Sequence, residues 1–245
     1  MIRCVLVACL LLVSSAVADD TAVINASLKV DIPGAGGSGV AIAPHLIVTN
    51  SHVVDHRIRN DVTVTDVHGR EYGAVAVSLD KDADVALLYV QHRAGPYVRI
   101  APRRRPLVGL TLRPFGWGPK RRLATGRGVV VSEWSRNRVQ VLDCAVHSEP
   151  GDSGGGLFDD QDQLVALNWG GDGLTNYSAS TPAEYVRQVA EAWVVEAMPQ
   201  DRWQEYQCLG GRCGSGPSEP AGSARGGAPP KWPVAPPSPA CSQAP

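Results

Sequence analysis

The sequence predicts an all-β fold of barrels or a sandwich, closed by a single C-terminal helix. Three observations point there. Short runs rich in Val, Ile, Leu and Thr recur between turn residues at nearly even spacing. No helical periodicity intervenes between them. The chain has 245 residues, 44% of them hydrophobic, which is enough to bury one large core or two small ones. The formal net charge of −1 argues against nucleic acid as the main partner, because binding phosphate requires a clear excess of Lys and Arg. No apolar run reaches the length of a membrane span.

The first element is a targeting segment. Arg3 precedes an apolar stretch from Cys4 to Val13, and small residues ending Ala16-Val17-Ala18 precede Asp19. That pattern predicts an export signal over 1–18, cleaved after Ala18, and a secreted or periplasmic location. Leu6-Val7-Ala8-Cys9 resembles a lipoprotein signal, but it would leave an apolar core of only about five residues, shorter than such cores usually are.

Strands are expected at Val40–Ile42, Leu46–Thr49, Val62–Val64, Val75–Val77 and Val85–Val90, and then at Leu110–Leu112, Gly128–Ser132, Val139–Leu142, Gly156–Phe158 and Leu164–Asn168. The helix is expected over Pro182–Met198. Thr181 offers a cap, Pro182 fits the first turn and Glu184 completes a capping box. Tyr185, Val189, Trp193 and Ala197 recur every four residues and give it a packing face. From Leu209 to Pro245, 7 glycines and 9 prolines leave too little apolar surface to offset the entropy of ordering, so 201–245 reads as a disordered Pro/Gly-rich tail.

After cleavage four cysteines remain, Cys144, Cys208, Cys213 and Cys241, which allow three pairings. Cys208 and Cys213 bracket the flexible Leu-Gly-Gly-Arg and form the favoured disulfide; Cys144, in a strand-like run, reads as a small buried thiol. From Arg99 to Arg127 there are nine Lys or Arg residues and no Asp or Glu. This run reads as solvated surface with counterions or acidic neighbours from elsewhere, the alternative being a patch that recruits acidic substrates, cell envelope or nucleic acid.

The segment most informative about chemistry is Glu149-Pro150-Gly151-Asp152-Ser153-Gly154-Gly155-Gly156. A serine hydroxyl is a poor nucleophile and needs an adjacent base, together with donors aimed at the developing oxyanion. Gly151 can adopt backbone angles closed to other residues and so aim its N–H at the same point as that of Ser153. The pentapeptide also fits the nucleophile elbow of α/β-hydrolases, but that fold places its histidine after the serine. Here His45, His52, His56, His68, His92 and His147 all precede Ser153, leaving the order His, Asp, Ser.

With that order, three blocks resemble the trypsin/chymotrypsin-like serine endopeptidases: Val48-Thr49-Asn50-Ser51-His52-Val53-Val54, Ala83-Asp84-Val85-Ala86-Leu87-Leu88, and the Ser153 loop. A fourth runs from Phe158 to Gly171 and contains Asn168-Trp169-Gly170-Gly171. The resemblance implies two antiparallel β-barrels of chymotrypsin type, barrel one over about 23–100 and barrel two over about 105–181, within a domain spanning 19–200. It implies His52 as base, Asp84 as orienting acid, Ser153 as nucleophile, and the N–H groups of Gly151 and Ser153 as oxyanion hole. Asp80 and Asp82 then read as turn residues, and His45 and His56 as solvated. Substrate would add as a strand beside Trp169 and Gly170. The implied partners are protein or peptide substrates, and the implied chemistry calls for no metal or cofactor.

Within the family the look is of compact bacterial-type enzymes, HtrA-like or glutamyl endopeptidase-like, on the evidence of Gly37-Ser38-Gly39-Val40 and Trp169-Gly170-Gly171. Glutamyl endopeptidases hold a histidine where this chain has Asn168, although His147 stands in the loop before Ser153. Trypsins hold an aspartate where this chain has His147, so Lys or Arg preference is not expected. His147, Ser148, Asn168, Trp169 and Gly170 are the expected substrate-binding residues. No Ile-Val-Gly-Gly start is present, so the oxyanion loop is expected to be preassembled, with Asp152 finding a donor other than a freshly cut N-terminus. The alternative function is a catalytically inactive protease fold used for binding.

Overall fold

The computed structural model describes residues 20–91, 95–102, 107–118, 123–171 and 176–197. The chain falls into two units, Met1–Gly214 and Ser215–Pro245, and every described residue belongs to the first. The expected signal, the Cys208–Cys213 pair, Cys241 and the tail all lie outside the described residues.

A short helix, α1 (Thr21–Ala26), leads into β1 (Ser27–Ile32), β2 (Ala35–Ala43), β3 (Leu46–Thr49), β4 (Arg59–Thr65), β5 (Glu71–Asp80) and β6 (Val85–Val90). These strands close an antiparallel barrel in the order β1-β2-β3-β6-β5-β4. The second set is β7 (Thr111–Trp117), β8 (Leu123–Thr125), β9 (Gly128–Arg136), β10 (Val139–Cys144), β11 (Gly156–Phe158), β12 (Leu164–Gly170) and β13 (Ser178–Pro182), followed by α2 (Ala183–Ala197). Its order is β11-β12-β13-β10-β9-β7-β8, and β11 also pairs with β7, so the sheet curls back on itself and β8 hangs outside the ring.

Burial explains the local patterns. β6 is apolar throughout because one face fills barrel one while the other lies under α2, where the Tyr89 and Trp193 rings sit 6.0 Å apart. The buried face of α2 is Ala183, Val186, Ala190, Trp193 and Val194, flanked by half-buried Tyr185, Val189 and Ala197. It is thus wider than the expected every-fourth-residue stripe. One apolar cluster reaches from barrel one through Phe115, Phe158 and Leu167 into the second set, where the two Phe rings meet edge to face at 5.7 Å.

Three expectations need correction. The helix starts at Ala183, because Pro182 ends β13 opposite Ala166. The Thr181 hydroxyl does not cap it; it donates to the carbonyl of Ala83 at 2.8 Å and stitches β13 to barrel one. The basic run is not wholly solvated, since Arg113 is buried and donates to Asp20, to Asp162 and to the carbonyl of Asp159. Cys144 is a free, buried thiol, and burial pushes its pKa up to about 12.

Candidate active site

β3 ends in extended backbone at Asn50, and a 3-10 turn over Ser51–Val54 carries His52 to the rim of barrel one. The Asn50 side chain donates to the carbonyl of Asp84 at 2.9 Å, tying this turn to the β5–β6 connection. Asp84 has φ of +54°, a conformation costing a non-glycine residue roughly 1–2 kcal/mol. The cost is met because the same geometry points its carboxylate inward at three donors. Oδ1 accepts from the Ser51 hydroxyl at 2.7 Å and from the His52 backbone N–H at 2.9 Å, and Oδ2 lies 2.6 Å from His52 Nδ1.

Asp84 is only 3% exposed. Burial alone would raise its pKa, but the bonds from His52 and Ser51 more than offset this and hold the carboxyl below its usual range. An ionised carboxylate only accepts, so His52 Nδ1 donates, and in the neutral imidazole Nε2 carries the lone pair. His52 and Trp169 line one cleft of about 540 Å³, together with His56, Lys81, Asp82, Arg136 and Asn137.

The serine loop is fastened to barrel one by Ser38. Its N–H donates to the Ser153 carbonyl at 2.7 Å; its hydroxyl donates to the Gly151 carbonyl at 2.7 Å and accepts the Trp117 N–H at 2.8 Å. Gly151 has φ of +103° and Gly154 φ of +83°. A Cβ on Gly154 would lie 2.2 Å from the Ser38 carbonyl oxygen, so glycine is required there. Among the described residues nothing accepts the backbone N–H groups of Gly151 and Ser153. The Ser153 hydroxyl donates to the Trp169 carbonyl at 3.0 Å rather than to His52.

Asp152 accepts the Glu149 backbone N–H at 2.9 Å through Oδ2, while Oδ1 is buried and has no partner among the described residues. Its donor is thus its own loop. Burial raises this carboxyl, and the Glu149 charge adds to the rise.

The expected substrate-binding residues separate into two groups. Trp169 faces the His52 cleft with the Arg136 guanidinium 5.1 Å from its ring centroid, and Gly170, at φ of +120°, sits where a Cβ would come 3.3 Å from Ser153 Oγ. Ser148 and Asn168 do not present side chains to solvent: they are 0% and 4% exposed. Asn168 Nδ2 donates to Ser148 Oγ at 2.8 Å, and its Oδ1 accepts the Gly170 N–H at 3.3 Å. These two residues brace the Trp169 strand, and Asn168 also lines the pocket of about 350 Å³ beside His147. His147 is exposed, 3.3 Å from the Glu149 carboxylate, beside a separate pocket of about 350 Å³. Sequence reasoning missed Ser38 as the loop's anchor, Ser51 as a donor to Asp84, and His56, whose Nδ1 lies 2.9 Å from Ser51 Oγ. The signal for Ser51 was its place directly before His52.

Two antiparallel barrels, with an imidazole on a buried carboxylate at the rim of one and a glycine-rich serine loop on the other, define a double-barrel fold of chymotrypsin type. The family model described as trypsin-like peptidase domain matches residues 37–167, and the chain belongs to that family. It is 28% identical over 170 residues to the periplasmic pH-dependent serine endoprotease DegQ of Escherichia coli (strain K12), covering 63% of this chain and 36% of that protein. The chain spans between 25% and 36% of the length of the curated relatives it matches. An inactive form of Rv3671c from Mycobacterium tuberculosis H37Rv superposes with a TM-score of 0.63 at 22% identity, covering 74% of this chain and 91% of that one. The serine endoprotease from Yersinia pestis gives a TM-score of 0.62 at 22% identity, covering 71% and 65%. At such identities the two structures speak for the fold.

Proposed function

We propose that the protein is an exported serine endopeptidase that hydrolyses peptide bonds in protein or peptide substrates through His52, Asp84 and Ser153. The observation that carries this reading is the 2.6 Å contact between His52 Nδ1 and Asp84 Oδ2 at the cleft shared with Trp169, the residue from which Ser153 hangs. Asp84 fixes the tautomer that leaves Nε2 as a base. Rotation of the Ser153 side chain between staggered wells releases Oγ from the Trp169 carbonyl and turns it toward the imidazole.

Ser153 Oγ then attacks the scissile carbonyl as His52 takes its proton. The carbonyl oxygen becomes an oxyanion received by the free N–H groups of Gly151 and Ser153. His52 returns the proton to the leaving amine, giving an acyl-enzyme that water hydrolyses along the same path. Export is supported by Arg3, the Cys4–Val13 run and Ala16-Val17-Ala18, and by the periplasmic location in the name of the relative DegQ.

Labelling with a fluorophosphonate tests the reading. The protein should be modified at Ser153, and His52→Ala and Ser153→Ala should each abolish the label. A wild-type protein that stays folded and unlabelled, and that cleaves nothing in a peptide library, is instead a binding protein on a protease fold.

A further inference from the structure

Ser51 stands between two histidines. Its Oγ lies 2.7 Å from Asp84 Oδ1 and 2.9 Å from His56 Nδ1, and the other oxygen of Asp84 lies 2.6 Å from His52 Nδ1. A hydroxyl has one proton to give. Asp84 is ionised and can only accept, so the Ser51 proton goes to Asp84 and His56 must donate from Nδ1 into the Ser51 lone pair. The bonds run one way, from His56 to Ser51 to Asp84, and meet the bond from His52 at the same carboxylate.

The backbone is shaped to hold this arrangement. Asp55 and His56 take φ of +60° and +52°, and the His56 N–H donates to the Ser51 carbonyl at 2.7 Å. Two successive left-handed residues without glycine are strained, and they turn the His56 ring back onto Ser51.

We propose that Ser51 and His56 are positioning residues for His52, setting through Asp84 how firmly the carboxylate holds the imidazole. The inference rests on the catalytic reading of His52, Asp84 and Ser153. A carboxylate that already receives a strong hydrogen bond is a weaker base toward a second donor. With Ser51 and His56 in place, Asp84 stabilises protonated His52 less, so His52 stays available as a base further into acid.

The other charged groups facing these rings are the Asp55–Arg57 pair beside His56, Lys81 and Asp82 across the cleft, and Arg136 against Trp169. The Arg59–Asp61 pair stands on the far side of His52. None of them bonds to Ser51 or His56, so they stay constant across variants at Ser51 and His56.

The test measures the rate of Ser153 labelling by a fluorophosphonate from pH 5 to 8, and the titration of the His52 ring by NMR, in wild type, Ser51→Ala, His56→Phe, the double variant and Ser51→Thr. Thermal melts verify that each is folded; His56 is exposed and tolerates Phe. In Ser51→Ala and His56→Phe the acid limb and the His52 titration should move to higher pH together. At pH 5.5 labelling should slow about threefold, with rates within about twofold of wild type at pH 8. The double variant should move by much less than the sum of the singles, and Ser51→Thr should restore most of the wild-type profile. Titrations of the single variants that superimpose on wild type, or additive shifts in the double, overturn the proposal. If wild type is not labelled at all, the catalytic reading fails, and the His52 titration alone still decides whether Ser51 and His56 act on it.

Discussion

The Ser153 hydroxyl donates to the main-chain carbonyl of Trp169 at 3.0 Å. The proposed nucleophile and the proposed substrate-binding strand are therefore joined in the resting molecule, and the hydroxyl must leave that carbonyl before it can meet His52. The bond is one half-buried hydrogen bond, of a kind worth about 1 kcal/mol. Ser153→Ala should thus lower the melting temperature by only a few degrees while abolishing both peptide cleavage and fluorophosphonate labelling. Unfolding of Ser153→Ala in calorimetry would show that the bond is part of the fold's framework instead.

Asp84 carries more of the structure. Its carboxylate takes three donors, and its carbonyl takes a fourth from Asn50. Asp84→Asn keeps the shape but replaces one accepting oxygen with a donor, so His52 Nδ1 would have to accept and Nε2 would carry the proton. Turnover should fall on the order of 10⁴-fold at pH 7. Steady-state kinetics with a peptide substrate measure this, and a loss under about tenfold would place the base elsewhere.

The reach of sequence reading follows from the same physics. Strands such as β3 and β6 are continuous apolar runs and were legible because burial demands them. β13, Ser-Ala-Ser-Thr-Pro, was missed because its side chains are small and polar, and its place is set by pairing with β10 and β12 rather than by its own hydrophobicity. Proline suits both a first helical turn and a strand end, so sequence alone does not place Pro182, and pairing with Ala166 does. His52, Asp84 and Ser153 were legible because each sits in a short motif. Ser51 and His56 were not, because their role depends on two left-handed residues folding His56 back on its own chain.

Arg113 yields a stability test. It is 5% exposed and binds Asp20 ahead of barrel one as well as Asp162 and the Asp159 carbonyl in the hairpin between β11 and β12. Arg113→Ala leaves the Asp159 carbonyl with only the Asp162 N–H at 3.3 Å and two carboxylates without their cation. Removing one partner of a buried pair costs roughly 3–5 kcal/mol. Asp20 and Asp162 are about one-third exposed and can turn to water, so the lower end of that range applies. Chemical denaturation should show a loss of about 3 kcal/mol for Arg113→Ala and less than about 1 kcal/mol for Asp20→Asn, whose charge is screened.

Asp152 sets a pH dependence opposite in sign to that of Asp84. Burial, joined by the nearby Glu149 charge, raises its carboxyl above the ordinary value, and the Glu149 N–H and His147 only partly oppose this. The folded protein therefore binds this proton more tightly than the unfolded chain, where an aspartate titrates near 3.9. The stabilising contribution is fully present below that value and is lost as pH rises through the folded pKa, so that at neutral pH the charge weakens the fold. Asn in its place still accepts the Glu149 N–H but cannot ionise. Asp152→Asn should consequently gain stability over wild type as pH rises from about 4 to 7, with the gap closing again in acid. Asp84 is depressed in both proteins, and its own loss of stabilisation as pH falls cancels in the comparison. Thermal melts of the two proteins at pH 4, 5.5 and 7 measure the gap; a difference independent of pH would mean that Asp152 ionises as freely in the fold as outside it.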